Sequence, residues 1–124
     1  MLIRFVVSNY LSFGEEVEFN TLTGSPRRMK EHIYRFGDLE LLKVAAIYGP
    51  NGAGKSNLVK AIRLLHHIVT QDNWLAMEPI PTFRLSPRYE HLPSSFEVEF
   101  VIARESYHYG ISVFQGSITE EWLY

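Results

Sequence analysis

The chain has 124 residues, of which 46% are hydrophobic and 14% aromatic, so it can bury the core of one modest domain and has little room for a second. Its net charge of -2 gives no global attraction to nucleic acid, and the absence of cysteine excludes disulfides and thiolate metal sites. No apolar run approaches the roughly 20 residues of a membrane span, and the N-terminus lacks the features of a signal peptide, so we expect a cytoplasmic protein without membrane contact.

The first predicted elements are two paired strands. Residues 2–7 are rich in β-branched and aromatic side chains, and residues 16–20 alternate with period two, as in a half-exposed partner strand. Residues 8–14 between them combine turn-forming and aromatic residues. Residues 21–42 are interpreted as a polar connector. It carries the basic residues Arg27, Arg28 and Lys30, which favour a solvated loop, with contact to nucleic acid as the alternative.

A glycine-rich motif follows the connector. Residues 44–48 predict a short buried strand, and an amphipathic helix is predicted from residue 55 to about residue 69. Between them lies the pattern G-x-x-x-x-G-K-[ST], the phosphate-binding P-loop. An ordinary glycine turn before a helix is the alternative, which the order of strand, loop and helix disfavours. The motif residues are Gly49, Pro50, Asn51, Gly52, Ala53, Gly54, Lys55 and Ser56.

The spacing of the motif has a chemical explanation. Gly49, Gly52 and Gly54 let the backbone take positive φ and bring its N–H groups close to a polyphosphate, at the electropositive start of a helix. Lys55 is expected to reach the β- and γ-phosphates, and the Ser56 hydroxyl to take one position around Mg²⁺. The sequence therefore predicts that residues 49–57, which include Asn57, bind ATP with Mg²⁺.

The helix after the loop shows an apolar stripe with four-residue and three-residue steps. The adjacent His66 and His67 diverge by about 100° on a helix and cannot share a metal without help from elsewhere. Two prolines in residues 78–82 predict an extended linker after the helix. The residues expected to face the core are Leu58, Ile62 or Ala61, Leu65, and Ile68 or Val69.

The last part of the chain changes to period two. Residues 95–124 predict an antiparallel meander of three strands, with turns at residues 104–105 and 115–116. The final strand is predicted to run to the last residue, so we expect the chain to be a fragment of a larger protein.

The order of these elements resembles a known family. A starting strand, the segment Asn-Tyr-Leu-Ser-Phe at residues 9–13, a polar connector, the loop GPNGAGKSN and a helix continuing with Leu58 are similar to the N-terminal lobe of ABC-type ATPases of the SMC, RecF and OLD group. The likeness is greatest to the bacterial AAA family ATPase branch associated with phage defence and appended nuclease domains. It implies an α/β P-loop NTPase fold, with residues 1–124 a partial ATP-binding domain whose C-terminal lobe is absent.

The resemblance also implies roles for the segment after the first strand. In that group the segment packs near the nucleotide, so Asn9, Ser12 and Phe13 are expected to line the base or ribose side. The group often has an arginine just before the serine, and this chain has Leu11 there. Residues 11–15 look like the signature LSGGQ of the group, but they precede the P-loop and are interpreted as a coincidence.

The catalytic parts of the group have no counterpart in the sequence. The signature segment, the carboxylates of Walker B and the switch histidine are missing, so no catalytic residue is assigned and we expect this chain alone to be inactive. Gln115 is a candidate for the metal-touching glutamine of the group, although a turn between strands explains it as well.

The leading functional hypothesis is the ATP-binding lobe of an SMC/RecF/OLD-like ATPase. Its full-length form would couple ATP-driven homodimerisation, through the ATP face, to DNA handling or phage defence, with a nuclease domain or partner protein. One alternative is a transporter ATPase subunit, in which Tyr34 or Phe36 would be the aromatic residue that stacks on adenine before the P-loop. The other is a non-catalytic nucleotide-binding fragment.

Overall fold

The computed structural model describes residues 1–24, 30–71 and 79–124. Within them the chain has a mixed α/β arrangement in which all strand pairs are antiparallel. Short 3-10 helices occur at Lys30–His32 and Pro87–His91. The other elements, in chain order, are β1 (Leu2–Ser8), β2 (Val17–Asn20), β3 (Ile33–Phe36), β4 (Leu39–Leu42), α1 (Lys55–Thr70), β5 (Ser94–Ile102), β6 (Glu105–Phe114) and β7 (Ser117–Leu123).

Five of the strands form one sheet in the order β2-β1-β5-β6-β7. The predicted pairing of the first two strands is confirmed, with Phe5 opposite Phe19. The meander is confirmed as β5, β6 and β7, although its first turn lies at residues 103–104, one residue earlier than expected. The sequence did not predict that β1 also pairs with β5, where Phe5 lies opposite Val98. This pairing joins the N-terminal strand and the meander in a single sheet.

Helix α1 packs against this sheet through the predicted apolar stripe. Where the sequence left two choices, the structure buries Ala61 and Ile68, whereas Ile62 and Val69 are 37% and 57% exposed. Leu65 is also buried, as expected. The strand residues in the same core are Phe5, Val7, Phe96, Ile111 and Val113.

The interpretation of residues 21–42 as a polar connector is wrong for their second half. Strands β3 and β4 form a hairpin there, turning at Gly37 and Asp38. Leu41 on β4 is fully buried in a second small core with Ile3 and Val101. A glycine turn between two alternating segments was the available signal, and the many polar residues around it obscured that signal.

The prediction of a buried strand at residues 44–48 is also wrong for this chain. The segment has no strand pairing, and the side chains of Val44 and Tyr48 are 74% and 90% exposed. A strand forms only when its backbone groups find partners on neighbouring strands. None of the strands in the described parts of the chain lies beside this segment, so its apolar residues stay at the surface.

The extended linker predicted at residues 78–82 has neither helix nor strand at residues 79–82, and Glu78 lies outside the described residues. Arg27 and Arg28 of the basic cluster lie outside them too, and Lys30 is exposed at the start of a 3-10 helix. Within residues 1–24, 30–71 and 79–124, no helix has both the length and the apolar character needed to cross a bilayer.

Replacement of Gly110 by alanine is expected to destabilise the fold by about 1–3 kcal/mol, because overpacking displaces well-packed neighbours. Gly110 is buried on β6, and a Cβ there would overlap the indole of Trp122 on β7. Chemical denaturation measures the change. In a Trp122→Ala background the same substitution should cost much less, and an equal cost in both backgrounds would contradict this account. Gly24→Ala, with nothing within 4 Å of the added carbon, is the control.

Candidate phosphate-binding site

The P-loop forms a turn that leads directly into α1. The helix begins at Lys55, and Gly54 before it takes the left-handed conformation with φ 89°. Gly52 also has a positive φ of 83°, as the sequence predicts. The prediction of positive φ at Gly49 is wrong, because Gly49 is not among the residues with positive φ. Two glycines therefore bend this loop.

The loop and the first turn of α1 present unused hydrogen-bond donors. In the described parts of the chain, the backbone amides of Gly52, Gly54, Lys55 and Ser56 donate to no protein acceptor. No side chain caps the helix, which leaves its electropositive end open. A cavity of about 190 Å³ lies over these amides. Its lining residues are Asn51, Gly52, Gly54, Lys55, Ser56 and Asn57.

Lys55 completes this arrangement with a full positive charge. Its Nζ donates to the carbonyl oxygens of Gly49 and Pro50, at 2.6 Å each. The ammonium group therefore lies against the loop carbonyls, and Lys55 also lines the cavity over the amides. The arrangement fits a polyphosphate, because anions bind where backbone amides, a helix N-terminus and a cation converge.

A magnesium ion would have few protein ligands here. Mg²⁺ at phosphate sites usually keeps several waters and takes one or two protein oxygens together with phosphate oxygens. Ser56 is exposed at the second position of α1 and offers one hydroxyl. No group of three or more His, Asp or Glu side chains that could hold a metal occurs among residues 1–24, 30–71 and 79–124. The residues present therefore fit an ion held by Ser56 and the phosphates.

The segment after β1 lies beside the P-loop, as the resemblance implied. The Asn57 side-chain amide donates to the Ser12 hydroxyl at 2.9 Å. A Cβ added at Gly54 would lie 3.3 Å from both the Phe13 ring and the Ser12 hydroxyl. Ser12 and Phe13 therefore support the loop from the side, and Ser12 remains exposed to solvent.

Asn9 has a different position from the one expected. It is 2% exposed, it has a left-handed φ of 49°, and it lines neither the cavity over the P-loop nor the neighbouring cavity lined by residues 82–85. Its amide nitrogen donates to the carbonyl oxygens of Tyr89 and Leu92, and its side-chain oxygen accepts from the backbone N–H of Phe83 at 3.0 Å. Asn9 thus ties the segment before β5 to the end of β1, which is a positioning role.

Other residues named from the sequence lie away from the loop. Tyr34 and Phe36 pack against the second core, beside Ile3 and Leu41, so they line neither cavity at the P-loop. Gln115 occupies the turn between β6 and β7 with φ 49°, which the turn by itself explains. The aromatic residue expected of a transporter ATPase is therefore not supplied by Tyr34 or Phe36.

One segment near the site was missed by sequence reasoning. Residues 82–85 lie next to Leu11, Ser12 and Asn57, where they line a second cavity of about 460 Å³. The segment lies far from the P-loop in sequence, and no periodicity or motif marks it. Hydrogen bonds from Leu11 to Pro81 and from Phe83 to Asn9 bring it to the site.

Gly54→Ala is expected to destabilise the chain more than Gly52→Ala. Both substitutions force an L-residue into the left-handed region, at a cost of about 1–2 kcal/mol. The space around Gly52 is open, whereas the new methyl group at Gly54 would press on Phe13 and Ser12 and add roughly 1 kcal/mol. Thermal and urea denaturation of the two variants compare these costs. Equal destabilisation would show that Phe13 and Ser12 do not pack on the loop.

A known protein family matches the chain. The sequence model of the family described as "AAA domain, putative AbiEii toxin, Type IV TA system" matches residues 44–124. The match begins just before the P-loop and runs through β7, while β1 to β4 lie outside it. No curated protein matches the chain. Because the match spans most of the chain and includes the entire P-loop, the chain belongs to this family of AAA-type P-loop ATPase domains.

Proposed function

We propose that this chain is the ATP-binding lobe of an SMC/RecF/OLD-like ATPase of ABC type. The observation that carries ATP binding is the set of backbone amides of Gly52, Gly54, Lys55 and Ser56 that donate to no acceptor in the described parts of the chain. They are grouped with the Lys55 ammonium at the uncapped start of α1. Phosphate oxygens would accept from these amides. Lys55 would leave the carbonyls of Gly49 and Pro50 for the β- and γ-phosphates.

In the proposed complex Mg²⁺ neutralises the phosphate charge. Ser56 would contribute its hydroxyl, the phosphates two oxygens, and water the remaining positions of the octahedron. Binding should therefore depend on the metal, because the P-loop itself offers a single cationic side chain to a triphosphate that carries several negative charges.

Equilibrium titration with a fluorescent ATP analogue tests the binding proposal. We expect saturable binding in the presence of Mg²⁺, competition by unlabelled ATP, and much weaker binding in EDTA. Adenosine at the same concentration should compete poorly, because it lacks the phosphates that the amides bind. A chain that shows no saturable binding of the analogue would contradict the proposal.

The proposed lobe is incomplete on two surfaces. The segment at residues 44–48 exposes apolar side chains without strand partners among the described residues, and α1 exposes Val59, Ile62 and Val69 outside its buried stripe. Buried parallel sheets have such continuous apolar strands, covered by helices on both faces. We propose that the strands of a C-terminal lobe pair with residues 44–48 and cover these side chains.

We further propose that ATP drives dimerisation of the full-length protein. Ser56 and the cavity over the P-loop face solvent, so the γ-phosphate would be bound from one side only. A second protomer that contacts the other side would bind more tightly when ATP is present, because a ligand shifts an equilibrium by its differential affinity for the two states.

Sedimentation velocity of a hydrolysis-deficient full-length protein tests the dimer proposal. ATP with Mg²⁺ at saturating concentration should increase the sedimentation coefficient to that of a dimer, and Lys55→Ala should prevent the increase. An unchanged coefficient at saturation would remove the dimer and leave nucleotide binding by a monomer.

We propose that the full-length protein handles DNA and acts through it in phage defence. The sheet face opposite α1 carries Glu97 and Glu99, which pair with His108 and Arg4. The Arg4 guanidinium on this face already pairs with Glu18 and Glu99, so we propose that DNA is contacted elsewhere, for example by the basic residues at 27–30. Affinity for duplex DNA that falls steeply with salt, and that is lost when Arg27, Arg28 and Lys30 are replaced together, would support this contact.

A further inference from the structure

The cavity beside the P-loop, which we call the 82–85 pocket, adjoins the phosphate-binding cavity. Asn57 lines both of them. The 82–85 pocket measures about 460 Å³, within the range of roughly 300–1,000 Å³ that is usual for small-molecule sites. Its lining residues are Leu11, Ser12, Asn57, Thr82, Phe83, Arg84 and Leu85.

We propose that the 82–85 pocket holds the base and ribose of the nucleotide whose phosphates bind at residues 49–56. This inference rests on the proposed nucleotide binding. It adds a nucleoside-binding wall formed by residues 82–85, a segment that neither the motif nor the family match marks as part of the site.

The direction of the bound nucleotide follows from the P-loop. Lys55 and Ser56 mark the end that holds the β- and γ-phosphates and the metal. The nucleoside is attached to the α-phosphate and therefore extends from the opposite end of the phosphate chain. Asn57 is the next residue of α1 after Ser56. Its side chain bonds to Ser12 and lines both cavities, so it lies at the boundary between them.

The walls of the pocket match the chemistry of a nucleoside. Leu11, Phe83 and Leu85 offer apolar surface for the faces of a base, and the Ser12 hydroxyl offers a polar partner for its edge or for the ribose. Arg84 is exposed, and its guanidinium has no hydrogen bond or ion pair with the described residues. A planar guanidinium stacks on aromatic rings and also donates to phosphate oxygens.

The wall is held in place before any ligand arrives. The backbone N–H of Leu11 donates to the carbonyl of Pro81 at 3.1 Å, and that of Phe83 donates to the Asn9 side chain. The Phe83 ring packs edge-to-face on Tyr89, with ring centroids 5.0 Å apart. A site organised in advance loses less entropy on binding. Leu85, by contrast, is 87% exposed, and a base lying in the pocket would cover it.

Competition titrations with two probes test the inference. Magnesium tripolyphosphate reports on the phosphate site alone, and magnesium ATP reports on both sites. We expect the wild-type chain to bind ATP more tightly than tripolyphosphate. Leu85→Ser and Arg84→Ala should each weaken ATP binding by about tenfold while tripolyphosphate binding stays unchanged. Ile102→Ser is the matched control for Leu85→Ser. It changes an exposed apolar residue of β5, away from both cavities, and should alter the affinity for neither probe.

The outcomes separate this inference from the function on which it rests. Equal affinities of the wild type for both probes, together with unchanged ATP binding in the two variants, would overturn the nucleoside pocket and leave phosphate binding intact. If both variants lost affinity for ATP and for tripolyphosphate to the same extent, residues 84–85 would contact the phosphates, and the nucleoside pocket would be overturned as well. A wild-type chain that binds neither probe would contradict the proposed function and, with it, the nucleoside pocket.

Discussion

Lys55→Ala is expected to weaken the binding of magnesium ATP by about 100-fold, because a hydrogen-bonded charge on the terminal phosphates contributes roughly 1.5–3 kcal/mol. In the chain without nucleotide, the ammonium donates only to the exposed carbonyls of Gly49 and Pro50. The loss of these two contacts should reduce the free energy of unfolding by less than about 1 kcal/mol. Calorimetric titration and chemical denaturation of the same preparations measure the two effects.

Lys60→Ala is the matched control for this substitution. Lys60 lies on the same helix, carries the same charge and does not line the cavity over the P-loop. Its removal should lower ATP affinity by no more than about twofold through the general field of the protein. If the two variants bind ATP equally well, the Lys55 ammonium does not contact the phosphates, and the P-loop assignment fails.

Asn9→Ala is expected to cause the largest loss of stability among the single substitutions considered, about 3 kcal/mol or more, because it leaves one buried and two partly buried polar groups without partners. The carbonyls of Tyr89 and Leu92 would lose their donor, and the N–H of Phe83 would lose its acceptor. Alanine would in addition be strained at the φ of 49° that asparagine tolerates. Denaturation in urea measures the total.

Two further variants separate the causes of this loss. Asn9→Gly removes the same hydrogen bonds but accepts positive φ, so it should recover about 1 kcal/mol relative to alanine. Asn20→Ala, at an exposed asparagine on β2, should change stability by less than about 0.5 kcal/mol. A loss at Asn9→Ala no greater than that at Asn20→Ala would mean that the bonds to residues 83–92 do not hold the segment in place.

Substitution of Asn9 is expected to affect nucleotide affinity as well as stability. Residues 82–85 are positioned by the bond between Asn9 and Phe83, so Asn9→Gly should weaken ATP binding more than tripolyphosphate binding under conditions where the variant is folded. The same pair of probes therefore distinguishes a residue that positions the nucleoside wall from one that only stabilises the fold.

Local sequence determined the parts of the molecule whose conformation depends on neighbours in the chain. The P-loop followed by α1, the β1–β2 pair and the meander were all predicted, because glycine spacing, helical periodicity and strand alternation act within a few residues. The buried face of α1 was predicted only to within one residue at two positions. Ala61 rather than Ile62 faces the core, because the rotation of the helix about its axis on the sheet decides which of two adjacent residues is buried.

The tertiary structure alone decided everything that depends on residues distant in the chain. The pairing of β1 with β5, the bond of Asn9 to Phe83, and the approach of residues 82–85 to Leu11 and Ser12 each join segments more than 60 residues apart. The segment at residues 44–48 has the composition of a buried strand, yet it remains exposed here. Composition gives a segment the capacity to form a strand, but hydrogen-bond partners on neighbouring strands decide whether the strand forms.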